Sequence, residues 1–108
     1  MIFEIVDIFE TPEEHRQGLQ YQAIRKNDCA IFLYDVPVVP SFWNINVPHD
    51  LWVTSVIDGK VAECFAMDAG SKQPHKFTKP TQFVIESRVA LPKGSVSVSE
   101  SGALCISL

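Results

Sequence analysis

Clusters of lysine and arginine are missing from this 108-residue chain, whose 9 basic residues are outnumbered by 13 acidic ones for a net charge of −4. Nucleic-acid binding rests on neutralising phosphates with a basic patch, so that class of partner is disfavoured. Long apolar runs are missing too, and nothing approaches the ~20 residues that a membrane-spanning helix needs. The segment Met1–Asp7 lacks the positive stretch and continuous apolar core of a secretion signal, which makes the cytoplasm the expected location. Cysteine is scarce and odd in number: Cys29, Cys64 and Cys105 show neither Cys-x-x-Cys nor Cys/His ligand spacing. Each lies in an apolar run, so all three are expected as packed core thiols rather than zinc ligands. Gly-rich phosphate loops and Ser or Cys nucleophile motifs are also absent, so no cofactor or metal is expected and an enzyme is the weaker class.

What remains is an ordinary globular composition, 46% hydrophobic and 20% charged, at a length that supports one domain. Residues 2–9 carry apolar side chains on both parities, which predicts a strand buried on both faces. Thr11-Pro12-Glu13-Glu14 follows as a helix start, with Thr11 as cap, Pro12 in the first turn and Glu14 completing a capping box. Gly18 then limits that helix to about two turns. Strand character recurs at Cys29–Tyr34, Ser41–Ile45, Leu51–Ile57, Thr81–Ser87, about Ser95–Ser99 and Ala103–Ser107. Pro37 and Pro40 exclude a central paired strand between the first two. Asp58-Gly59 is a hairpin signal, since a type I′ turn needs two residues tolerant of positive φ. A two-residue loop there pairs Val56 with Val61, Thr54 with Glu63, Trp52 with Phe65 and Asp50 with Met67. The longest loop, residues 69–80, carries Lys72, His75, Lys76 and Lys79; it reads as solvated, or as a site for an anion. With about seven or eight short strands, one short N-terminal helix and no β-α-β alternation, the expected fold is mainly β, an antiparallel sandwich or barrel.

The densest chemistry lies in Ser41–Trp52, which holds both tryptophans, two of the three asparagines, one histidine and one carboxylate. Aromatic rings that exclude water beside polar groups that fix orientation are what a ligand-binding wall requires. Trp43, Asn44, Asn46, His49 and Asp50 are therefore the candidate ligand-binding residues. On a strand, Asn44 and Asn46 would point the same way and offer paired amides to a sugar, carboxylate or peptide. Alternatively they satisfy nearby loop carbonyls. His49 and Asp50 are an acid–base pair only if Pro48 places them in a turn; otherwise Asp50 orders that turn by accepting backbone N–H groups. Trp52 reads as core beside Phe65.

Several landmarks together resemble the DUF192 (UPF0127) family, a small, mainly β domain of uncertain biochemical role. Thr11-Pro-Glu-Glu14 and Gly18-Leu19 match its Thr-x-x-Glu and Gly-Leu-Met in order, with Gln20 at the methionine. Ala30-Ile31-Phe32 stands at its Met-Leu-Phe strand, and Phe42-Trp43-Asn44-Ile45-Asn46-Val47 resembles Phe-Trp-Met-Lys-Asn-Thr. Phe83-Val84-Ile85-Glu86 resembles its late Tyr-Val-Leu-Glu strand. The resemblance spans about residues 3–87 and implies a single β domain over residues 1–108.

Three functions are then compatible with the residues. The leading one is a non-catalytic binding module for a small polar molecule or peptide. The second is a structural or assembly protein acting through a homo-oligomer interface. The third is a hydrolase using His49 and Asp50.

Overall fold

The computed structural model describes residues 1–108. Strand β1 (Ile2–Phe9) ends just before Thr11, whose hydroxyl accepts the Glu14 N–H at 3.1 Å while the Glu14 carboxylate accepts the N–H groups of Glu10 and Thr11. This is the expected capping box, and it starts α1 (Pro12–Gln17). The backbone amides of Glu10 and Thr11 hold the Glu14 carboxyl below its usual range. Gly18, at φ +47°, ends the helix and returns its N–H to the Glu14 carbonyl. The remaining strands are β2 (Asp28–Val38), β3 (Ser41–Phe42), β4 (Leu51–Ile57), β5 (Lys60–Met67), β6 (His75–Lys76), β7 (Thr81–Ser87), β8 (Ser95–Val98) and β9 (Ala103–Ser107). Asp58 and Gly59 turn between β4 and β5 at φ +53° and +72°, as a type I′ hairpin demands.

Seven strands close a barrel in the order β1-β2-β7-β4-β5-β8-β9, and β9 returns to β1; β3 and β6 form a separate two-stranded ribbon. The expected mainly β barrel with one short helix is thus the observed fold. Its pairings are antiparallel except for β1 with β2, which run parallel because α1 and the segment after it carry the chain back to the same end. Closure leaves no barrel strand with a free edge.

Three local expectations are corrected. A bulge at Ala62 shifts the β4–β5 register by one residue beyond Val56: Thr54 faces Cys64, Trp52 faces Ala66, and Met67 faces Leu51. Phe65 consequently lies opposite Val53, not Trp52, and the Ser55 hydroxyl accepts the Glu63 N–H next to the irregularity at 3.1 Å. Strand β2 continues through Pro37 to Val38, which is tolerated because the ladder to β7 is interrupted between Leu33 and Val38. Strand β1 is less buried than expected: its register to β2 slips between Ile5 and Asp7, Phe3 packs in one apolar cluster and Phe9 in another, and Ile2, Val6 and Ile8 stay 71%, 43% and 45% exposed.

The exposure of β1 follows from how the core is divided. One apolar cluster fills the barrel and includes Phe3, Cys29, Ile31, Ile85, Leu104 and Ile106. The other lies on the outside of the wall formed by β2, β7, β4 and β5, where Phe9, Phe32, Val53, Met67 and Val84 meet Leu19, Phe42 and Phe77. The cover consists of α1, the following segment and the β3–β6 ribbon, and it does not reach the exposed residues of β1. Phe32 contacts Phe9 and Phe42 at ring-centroid distances of 4.8 and 5.1 Å, and Phe42 contacts Phe77 at 5.9 Å. Strands β2, β4 and β7 are therefore apolar on both parities. Cys29 is buried in the inner cluster, Cys64 accepts the Thr54 hydroxyl, and Cys105 is half-buried; all three are free thiols.

Candidate functional site

Strand geometry stops at Phe42, so the expected strand Ser41–Ile45 is only two residues long. Asn44 is fully buried. Its Nδ2 donates to the carbonyls of His49 at 3.0 Å and Asp68 at 2.9 Å, and its backbone N–H donates to Ser71. One amide thereby fastens the 44–49 turn to the loop after β5. Asn46 adopts φ +57°, which breaks the parity that would have aligned it with Asn44. It is exposed; its Nδ2 donates to Gln20 Oε1 at 3.2 Å and its carbonyl accepts the Tyr21 N–H at 2.7 Å.

His49 Nε2 accepts the Ile24 N–H at 3.0 Å, which assigns the ring proton to Nδ1. Asp50 Oδ1 accepts the Ala69 N–H at 2.8 Å. Each side chain thus serves a backbone amide on a different segment, and the pair is not assembled for proton transfer. Asp50 orders the backbone of a neighbouring loop rather than its own turn.

Trp43 is the one residue of the five candidates that lines a large cavity. This hollow of about 650 Å³ lies between α1, the Gly18–Gln20 segment, β3 and the outer face of β2 and β7. Phe32, Tyr34, Phe42 and Trp43 supply its aromatic lining, and Trp43 remains 52% exposed. His15 fixes one wall: its Nε2 donates to the carbonyls of Phe9 and Leu33 at 3.0 and 2.8 Å, and its ring packs 4.3 Å from that of Tyr34. Gly18 supplies the left-handed backbone, at φ +47°, that turns the chain away from α1 beside the Phe32 ring.

A single carboxyl shares this cavity. Glu86 lies on β7 between Ala30 of β2 and Val53 of β4, on the same strand face as Val84. It is 3% exposed, lines the cavity, and makes no hydrogen bond or ion pair within the protein. Burial pushes its pKa up to about 8, which keeps it protonated at neutral pH. Burial, and then the neighbouring Glu86, also push the Tyr34 phenol upward. By contrast Asp28, also buried, is held below its usual range: burial opposes ionisation, but the Arg25 amide and guanidinium outweigh it. Burial alone therefore does not make Glu86 unusual; the missing partner does.

Sequence reasoning did not select Glu86 or His15. The available signal for Glu86 was one acid inside an otherwise apolar strand, Phe83-Val84-Ile85-Glu86.

The sequence matches no family model and no curated protein. Solved structures are similar in fold. One is a protein of unknown function from Novosphingobium aromaticivorans, with a TM-score of 0.71 and 23% identity over 77% of this chain and 62% of that one. Another, from Sinorhizobium meliloti, is described as a proposed transcription regulator; its TM-score is 0.70, with 18% identity over 74% of this chain and 64% of that one. This chain thus spans less than two thirds of either relative, and at these identities the likeness is one of fold.

Proposed function

We propose that the chain is a divergent DUF192-like domain acting as a non-catalytic binding module, and that its site is the cavity beside Trp43. The occupant is a small molecule with an apolar or aromatic body and one polar head. The observation that carries this reading is an unpartnered carboxyl in an aromatic-lined hollow of about 650 Å³. That volume lies within the ~300–1,000 Å³ typical of small-ligand sites, and a mostly apolar wall with few polar groups is their usual chemistry. Asn44, Asn46, His49 and Asp50 then serve the site indirectly, by holding the segment that presents Phe42 and Trp43.

A fragment library screened by two-dimensional NMR tests the proposal. Resonances of Trp43, Tyr34, Phe42 and Gly18 should shift together for a subset of fragments. Shifts scattered over the surface, or none, would leave the cavity without a role. A second reading, assembly as a homo-oligomer, is favoured by the exposed Ile2, Val6 and Ile8 on β1. Light scattering over a concentration series decides it, because a strict monomer at high concentration removes it.

A further inference from the structure

We infer that the head group recognised in the cavity is an organic cation, an amine or guanidinium on an apolar body, which pairs with Glu86. This rests on the cavity being the ligand site and assigns the chemistry of its occupant.

Two independent features converge on positive charge. The first is the carboxyl itself. It offers acceptor oxygens, and the protein supplies no N–H or O–H to them; a ligand ammonium would bring several donors and the opposite charge. The second is the lining of Phe32, Tyr34, Phe42 and Trp43, because aromatic ring faces attract cations and repel anions. A carboxylate ligand would meet both a buried acid and electron-rich rings. A neutral carbonyl ligand would use a protonated Glu86 for one hydrogen bond and gain nothing from the rings' charge distribution.

The other charged or titratable groups at the cavity are few. Strand β2 contributes Tyr34, and α1 contributes His15 and Arg16; β3 and Pro74 contribute none, and β4 presents Val53 beside Glu86. His15 is engaged through Nε2 with two carbonyls, and Arg16 is exposed, so its charge is hydrated at the rim.

Binding a cation ionises Glu86, and the O–H proton passes to solvent. Since burial raises this group to about 8, one proton leaves per cation bound at neutral pH. Affinity should then rise about tenfold per pH unit below that value and level off above it.

The experiment is titration calorimetry of the full chain with 2-phenylethylamine and its neutral counterpart 2-phenylethanol at pH 6, 7 and 8.5. It is repeated with Glu86→Gln and in buffers of differing ionisation enthalpy. Expected results are a preference for the amine of about tenfold or more at pH 8.5, release of close to one proton at pH 6, and loss of the preference in Glu86→Gln. The wild-type pH series requires no variant, so the outcome does not hinge on how that substitution folds. If the alcohol binds as tightly as the amine, or the amine's affinity is independent of pH, the cation assignment is overturned while the cavity remains a ligand site. If neither compound at millimolar concentration shifts Trp43 or Tyr34 in the NMR spectrum, both readings fall.

Discussion

Substituting Glu86 by Gln should change how stability depends on pH. A carboxyl that titrates near 8 in the folded chain and at 4.5 when free takes up a proton from solvent on folding throughout that interval. Its contribution is fully present below pH 4.5 and lost as pH rises through 8. The difference, 8 − 4.5, is 3.5 pH units; at about 1.4 kcal/mol per unit the cost of ionising it in place approaches about 5 kcal/mol. Water entering the cavity would lower that figure. Glutamine has nearly the same shape and never ionises. Urea denaturation at intervals from pH 5 to 9 should therefore show the stability of Glu86→Gln rising relative to wild type by about 1.4 kcal/mol per pH unit, then flattening above pH 8. Every other ionisable group is common to the two proteins and cancels in the difference. A difference that stays constant across the series would mean that Glu86 is ionised and solvated in the native chain, contrary to its burial.

Asn44→Ala removes the donor that satisfies the His49 and Asp68 carbonyls, and should destabilise the domain by about 2–4 kcal/mol, measured by chemical denaturation. The same variant should broaden or shift the Trp43 indole resonance, because the turn that presents the ring loses its fastening. Gly94→Ala places a Cβ 2.5 Å from the Ser107 carbonyl oxygen, so β9 must shift; a lower thermal midpoint and faster amide exchange at Val96 and Ile106 are expected.

Local chemistry was readable where a few neighbouring residues decide the outcome. Thr11 and Glu14 cap one another across three positions, and Asp58-Gly59 fixes its own turn, so both are visible in the sequence. The hairpin register was not, because the bulge at Ala62 has no special residue to announce it, and one extra residue shifts every pair beyond it. The candidate site was half legible. Clustered aromatics drew attention to Trp43, but the positive φ of Asn46 and the burial of Asn44 come from contacts with loops more than twenty residues away. Glu86 escaped notice for a related reason. A strand acid ordinarily faces water, and what encloses this one is a distant helix and ribbon laid over the outside of the barrel.

The seam that joins Ile2 to Cys105 has a kinetic consequence. Strand β1 cannot find both of its neighbours until β9 is also present, and such distant pairing is slow to form because the loop must close before contacts reward it. During synthesis, the apolar side chains that will fill the barrel's interior must wait, unenclosed, for β9 to emerge. Ribosome-bound chains ending before β9 should consequently be protease-sensitive, and the molecule should acquire its shape late and all together.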